Sequence, residues 1–134
     1  MNLADVMDEL AAQLDTIDGL RVYSWPADAV QVPAAVVAYP DAYTFDLTYG
    51  RGVDQLAVPV YVLVGRISER TARDHLGAYC DGSGAASVKA VLEAGAYTAM
   101  SSVRVASATF EAITVNAIEY LAATFTVDVY GSGS

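Results

Sequence analysis

Apolar residues recur every three or four positions at the start of the chain and every second position near its end. Across residues 3–16 the apolar side chains fall on one side of a helical wheel: Leu3, Val6, Met7, Leu10 and Leu14. This spacing predicts an amphipathic helix. Asn2 is a suitable N-cap, and Asp5 would lie near the positive end of the helix dipole.

Short apolar runs bounded by Gly and Pro predict four strands in the following segment. Residues 20–23 and 34–39 each have the composition of a short strand. Alternation through residues 41–56 and the β-branched run 56–65 predict the two arms of a long hairpin. Pro59 lies in the return arm and cannot donate to a ladder, so we expect it at an edge or with its missing N–H pointing outward.

The second half of the chain changes from helical to strand periodicity. Helices are predicted over residues 69–80 and 85–94, the latter ending at Gly95 as C-cap. Two long strands follow, over 103–115 and 118–130. The alternation in the first of these strands is irregular, which indicates a β-bulge.

The predicted order of elements is therefore α-β-β-β-β-α-α-β-β. It defines the α+β class: a mostly antiparallel sheet, an N-terminal helix and two central helices packed on one face, and a long projecting hairpin. The 134 residues suit one domain. We place this domain at residues 1–130 and expect a flexible tail at 131–134.

Composition narrows the possible partners. The net charge is −9, so the surface repels phosphate groups, and sequence-independent binding of nucleic acid is not expected. The longest apolar run, residues 57–64, is far shorter than the ~20 residues of a membrane-spanning helix. The acidic N-terminus does not resemble a secretory signal, so we expect synthesis in a cytoplasm and no membrane association.

Residues with catalytic or ligand-binding chemistry are few. Cys80 is the one cysteine and His75 the one histidine, which excludes an internal disulfide and a zinc site built on thiolates. The two residues diverge around the predicted helix. The turn 81–84 (DGSG) lacks the Lys and the spacing of a phosphate-binding loop, so Asp81 or Ser83 is expected to cap a helix. We predict no enzyme activity, no cofactor and no metal.

The predicted hairpin carries the clearest candidate for a protein interface. Aromatic residues and Arg are enriched in such interfaces, and the hairpin contributes Tyr43, Phe45, Tyr49, Arg51 and Asp54. The alternative is that two of the three rings pack into the core. Trp25, followed by Pro26, is likewise a core residue or an interface corner.

Three carboxylates in the last two strands are candidates for a channel surface: Glu111, Glu119 and Asp128. Glu111 and Glu119 are expected to oppose each other across the final hairpin. A catalytic acid pair is conceivable there. A solvated or channel-facing stripe is the favoured interpretation.

Several segments, in their order and spacing, resemble the tail terminator (neck) proteins of long-tailed phages of actinobacteria. These segments are GLRVY at 19–23 with Pro26 after it, PAAVVAYP at 33–40, YGRG at 49–52, VPVYVLVG at 58–65, RTARDHL at 70–76, and DGSG at 81–84 followed by SVKA at 87–90. The resemblance extends over nearly the whole chain. It rests on the series of segments and on no single diagnostic motif.

The resemblance implies a structural role in the virion, with assembly in the host cytoplasm. Tail terminators form a hexameric ring on the head-proximal end of the tail tube, stop its growth and join it to the head-completion proteins. The partners implied are further copies of the chain, the tail tube protein and a connector or stopper protein. Genomic DNA would pass through the ring, and an acidic channel would let it slide without binding.

Other functions stay open at this point. A head–tail connector or stopper is also a small, ring-forming neck protein, whereas a tail tube protein is usually longer. A monomeric adaptor that binds one partner through the hairpin is a second class. An enzyme is the third, and His75 would be its only plausible general base.

Overall fold

The computed structural model describes residues 2–17, 19–24, 33–40, 42–44, 54–66, 70–84, 86–115 and 117–131. Within these ranges the predicted order of three helices and six strands is confirmed. The helices are α1 (Leu3–Leu14), α2 (Arg70–Tyr79) and α3 (Val88–Ala94). The strands are β1 (Arg21–Ser24), β2 (Ala34–Val37), β3 (Ala42–Thr44), β4 (Asp54–Arg66), β5 (Ser102–Val115) and β6 (Ile118–Gly131).

All six strands belong to one sheet, in the order β1-β2-β4-β6-β5, with β3 paired separately to β4. The β1–β2 pair is parallel, and the other pairs are antiparallel. The predicted α+β class with a mostly antiparallel sheet is therefore confirmed. β1 and β5 lie at opposite edges of this sheet.

The two long C-terminal strands form a hairpin that supports the rest of the sheet. β6 pairs with β5 on one side and with β4 on the other along most of its length. The predicted bulge in β5 is present, as a register shift between Val105 and Ser107. Gly131, which we assigned to the tail, is the last residue of β6 and lies opposite Asp54.

Pro59 lies in an interior strand, where it interrupts no strand pairing. The Ala38 N–H donates to the Pro59 carbonyl (3.0 Å), so this carbonyl points to the β2 side of β4. The N and C=O of one strand residue point the same way. The missing N–H therefore lies where β2 has ended at Val37 and β3, which starts at Ala42, has not yet begun.

One face of the sheet is covered by the helices. α1 buries Val6, Leu10 and Leu14 against it, as the helical spacing predicted. The Asp5 N–H donates to the Asn2 side chain (3.1 Å), so the predicted N-cap is confirmed. Alternate residues of β4 and β6 fill the sheet side of this core: Leu56, Val58, Val60, Val62 and Val64, and Ala123, Phe125, Val127 and Val129.

The other face, called the open face below, has no helix on it among the described residues. Its side chains include a smaller apolar cluster formed by Val36, Leu63, Tyr120 and Ala122, with Tyr23, Tyr61, Ile113 and Ile118 around it. Further along β6, Thr124, Thr126 and Asp128 occupy the same face and are partly exposed. The open face is therefore apolar at one end and polar at the other.

The long projecting hairpin is the part of the predicted architecture that is not shown. β3 pairs with the start of β4, with Tyr43 opposite Leu56. The residues between them, 45–53, lie outside the described ranges, so the projection of the hairpin stays a prediction.

Helix α3 begins at Val88, later than the predicted start at residue 85. Ser87 is its N-cap, and the Ser87 hydroxyl accepts the Ala90 N–H (3.1 Å). The same hydroxyl donates to the Asp81 carbonyl. The helix is thus capped by Ser87, where the sequence suggested Asp81 or Ser83, and Gly95 ends it as predicted.

Candidate protein–protein interface

The residues chosen from the hairpin fall mostly outside the described structure. Phe45, Tyr49 and Arg51 lie outside it, as does the side chain of Tyr43. Asp54 is described and is only 3% exposed, at the start of β4. In the isolated chain Asp54 is therefore inaccessible to a partner, and the rest of this interface stays a prediction.

The three candidate channel carboxylates do not form one stripe. Glu111 lies opposite Ala122, and Glu119 lies opposite Thr114, so the two acids do not oppose each other as expected. Residues 119 and 122 of β6 point to opposite faces because side chains alternate along a strand. Glu119 is therefore on the side of the helices, whereas Glu111 shares the open face with Asp128.

On the open face Glu111 has a specific neighbour. The Thr124 hydroxyl donates to its Oε1 (3.0 Å) across the β5–β6 pair. Asp128 lies opposite Arg104 of β5 and Ala57 of β4. Both acids thus belong to the open face: Glu111 lies beside the apolar cluster and accepts a hydrogen bond from Thr124, whereas Asp128 lies at the polar end beside Arg104.

Before the bulge, the outer edge of β5 is partly blocked from pairing with another strand. The Val105 N–H donates to Glu93 Oε2 of α3 (3.0 Å), so a side chain occupies the place of a neighbouring strand. Lys89 Nζ lies 2.6 Å from Glu93 Oε1. The Lys89 side chain and the Val105 N–H lower the pKa of Glu93.

After the bulge, residues 107–115 form what we call the free β5 edge, since no described strand lies beside it. Val115 pairs with Ile118 around a two-residue turn. Starting from that pair, every second residue of β5 exchanges backbone hydrogen bonds with β6, and the residues between them point their N–H and C=O groups outward. The backbone groups that point outward therefore belong to Ala108, Phe110, Ala112 and Thr114. Such an edge can accept an added strand.

Phe110 on this edge is 62% exposed, although it is a large apolar residue. It lies opposite Ala123, which belongs to the helix-side core, so its ring is on the helix side of the sheet. Its neighbours on that side of β5 are the small residues Ala108 and Ala112. The sequence did not reveal this exposure, because Phe110 appears there as one more apolar position of a strand.

A groove of about 210 Å³ lies near the opposite edge of the sheet, between α1 and strands β1 and β2. We call it the α1 groove. Ala4, Met7, Asp8 and Ala11 line it from the helix, and Tyr23, Val37 and Tyr39 line it from the sheet. Tyr39 is 59% exposed, whereas Val37 is almost fully buried. A neighbouring depression shares Ala11 and Tyr23.

Helix α1, which forms one wall of this groove, is hydrogen-bonded to other parts of the chain at two points. Thr98 and Ala99 donate their N–H groups to the Glu9 carboxylate (2.8 and 2.7 Å). Both bonds lower the pKa of Glu9. Gln13 Nε2 donates to the Val91 carbonyl (2.8 Å), which joins α1 to α3. The groove is therefore a fixed feature of the fold.

The few residues with catalytic potential are not brought together into a site. His75 is exposed on α2, whereas Cys80 is partly buried and its pKa is raised by that burial. Asp81 accepts the Ser83 N–H (3.3 Å), as in an ordinary turn. Among the described residues no group of His, Cys, Asp and Glu is arranged to hold a metal ion.

Comparison with models of known protein families finds no match. No curated protein is significantly similar in sequence. None of the helices in the described ranges is long and apolar enough to span a membrane.

Proposed function

We propose that the chain is a structural protein of phage assembly, a tail terminator. Copies of it form a ring on the head-proximal end of the tail tube, stop tube growth and join the tube to the head-completion proteins. The protein has no catalytic role and resides in the neck of the virion. The ring number of six derives from the sequence resemblance alone.

The free β5 edge is the observation that carries this proposal. Strands at the edge of a sheet are normally blunted by charges, proline or a covering element, because they otherwise pair with other chains. Residues 107–115 contain one charged residue, Glu111. An edge of this kind suits a protein that works by association with copies of itself and with the tube.

The charge distribution suggests how the ring would treat DNA. Glu111 and Asp128 share the open face with Arg104 and with the threonines of β6, so a ring that turned this face inward would line its channel with two carboxylates, hydroxyls and one guanidinium per copy. Glu119 lies on the helix side and would not belong to that lining. Like charges would keep the DNA from adhering to the wall.

The first test is the mass of the purified protein by light scattering across a concentration series, alone and with tail tubes. A ring, or a monomer that becomes a ring at one end of the tube, supports the proposal. Electron microscopy of tubes grown with and without the protein adds an independent readout, since a terminator should shorten and cap them. A strict monomer that ignores tubes excludes a terminator.

The second candidate is an adaptor that acts as a monomer, and the α1 groove favours it. A groove of this size between a helix and a sheet edge can receive a side chain of another protein. A connector or stopper remains the alternative within the neck. It would bind head-completion proteins and leave tube length unchanged, which the same tube assay measures.

A further inference from the structure

Two large apolar side chains of the described residues are exposed, and they lie near opposite edges of the sheet. Phe110 is on β5, one edge strand, and Tyr39 follows β2, next to the other edge strand. Phe110 stands alone among small residues. Tyr39 instead forms the rim of the α1 groove. One edge of the sheet thus presents an aromatic protrusion, and the opposite edge presents a concave apolar surface.

The two features match in size. A cavity of about 150 Å³ in a protein interior is enough to hold a benzene molecule, and the α1 groove measures about 210 Å³. A phenyl ring therefore fits, and Met7, Ala11 and Val37 offer it apolar walls. The polar group at the groove is Asp8, which is exposed and can stay in water.

The two features are also compatible in charge and in direction. The acidic helix α1 would repel an acidic partner, but Ala108, Ala112 and Thr114, which flank Phe110 on its side of β5, are uncharged, and Glu119 of β6 lies on that side only opposite Thr114, four residues along the strand from Phe110. Val37 packs in the helix-side core and Phe110 points to the helix side, so both features belong to the same face of the sheet. Translation of one copy beside another can bring them together without turning it over.

We propose that Phe110 of one copy inserts into the α1 groove of the next copy. This inference rests on the proposed ring and identifies the contact that builds it. The protrusion and the groove differ from each other, so the contact is head to tail, and a head-to-tail contact closes into a ring when its rotation permits. The occupant of the α1 groove is thus a second copy of this chain.

Two single substitutions test the two halves of the contact. Phe110→Ala removes the protrusion, and Tyr39→Ala removes the rim of the groove; both residues are exposed, so the fold should persist. Loss of a buried aromatic anchor should weaken association roughly thirtyfold or more, measured by sedimentation equilibrium. Thr109→Ala, on the same strand but on the open face, is the matched control and should associate as the wild type does.

A mixing experiment distinguishes this contact from a symmetric one. Ala4→Trp, at an exposed position of α1, fills the groove with the chain's own side chain. Copies with Phe110→Ala and copies with Ala4→Trp should each fail to assemble, but together form dimers and stop. One intact protrusion and one intact groove remain in that mixture. If Ala4→Trp alone associates normally, or if the mixture stays monomeric, the proposed contact is wrong.

The contact and the proposed function can fail separately. A ring that depends on Phe110 and Tyr39 but ignores tail tubes would retain this contact and remove the terminator role. A ring that caps tubes equally well with Phe110→Ala would retain the terminator role and overturn the contact. A wild-type protein that stays monomeric at every concentration, with and without tubes, overturns both.

Discussion

The two faces of the sheet are made by the same strands and yet differ in chemistry. On the helix side, β4 and β6 present an unbroken series of aliphatic residues and Phe125, and three helices cover them. On the open face the same strands present Leu63, Tyr120 and Ala122 at one end and threonines with Asp128 at the other. From Leu56 to Val64 of β4 and from Leu121 to Val129 of β6 the first face is apolar throughout, whereas the second changes from apolar to polar.

Some side chains of the open face are buried although none of the described helices covers them. Leu63 and Ala122 on the open face are 1% and 0% exposed, as buried as the helix-side core. Their neighbours include Tyr61 and Tyr120, whose rings are large enough to cover small and branched side chains beside them. The apolar end of the open face is therefore a second, smaller core.

The largest effect is expected on the helix side. Phe125 is 2% exposed, and Phe125→Ala should lower the free energy of unfolding by about 3–5 kcal/mol, because it leaves a large cavity under the helices. Urea unfolding monitored by circular dichroism measures this loss. Thr126→Ala, one residue later on the open face, should change stability by less than about 0.5 kcal/mol. Equal losses would contradict the distinction between the faces.

A smaller but clear effect is expected in the second core. Leu63→Ala should lower the free energy of unfolding by about 2–3 kcal/mol, at the low end for buried leucine, because the cluster is small and can partly collapse. The same urea experiment applies, with Thr126→Ala on the same face as its control. A loss below about 1 kcal/mol would mean that the open-face cluster is not packed as a core.

The N-cap of α3, one of the helices on the covered face, should make a smaller contribution to the free energy of unfolding. Ser87→Ala removes the hydroxyl that accepts the Ala90 N–H and donates to the Asp81 carbonyl, so it should cost about 1 kcal/mol, or about 2 at most. Ser87→Asn or Ser87→Asp should recover part of this loss, since both residues cap helices well. Thermal unfolding with all three variants compares them. No recovery by either would argue that volume at this buried position matters more than the cap.

The smallest effect concerns pH. The pKa values of Glu9 and Glu93 are lowered in the folded state from an ordinary value of 4.5. Their stabilising contribution is therefore complete above that value and is lost as the pH falls through the lowered pKa. We expect stability to decline as the pH falls below about 4.5, and Glu9→Gln with Glu93→Gln to flatten this decline. An unchanged slope of stability against pH would contradict the role given to these carboxylates.

Local patterns in the sequence predicted much of the fold. Period-3.6 spacing marked α1, whose N-cap Asn2 lies four residues before Val6, the first buried residue of the helix, and the irregular alternation of residues 103–115 marked the bulge. Each of these signals lies within a few residues of the element it describes. The start of α3 could not be predicted from such a local pattern, because Ser83 and Ser87 are both residues that can cap a helix. The hydrogen bond from the Ser87 hydroxyl to the Asp81 carbonyl decides between them.

The candidate site was harder to predict, because it depends on distant parts of the chain. The α1 groove joins Met7 to Tyr39, and α3 contacts β5 at Val105, before the bulge, whereas Phe110 lies after the bulge and is exposed. Glu111 and Glu119 could be placed on the same hairpin, but their faces depend on the register that Val115 and Ile118 set at the turn. None of these relations follows from periodicity.

The bonds between Glu9 and the segment at Thr98 and Ala99 have a consequence for the order of folding during synthesis. Ala99 follows Glu9 by 90 residues. At ribosomal rates of about 5–20 residues per second, α1 waits roughly 5–20 s for these partners. Its apolar face, with Leu10 and Leu14, lacks the partner helix α3 for most of that time. During this interval α1 is open to chaperones or to premature contacts with other copies.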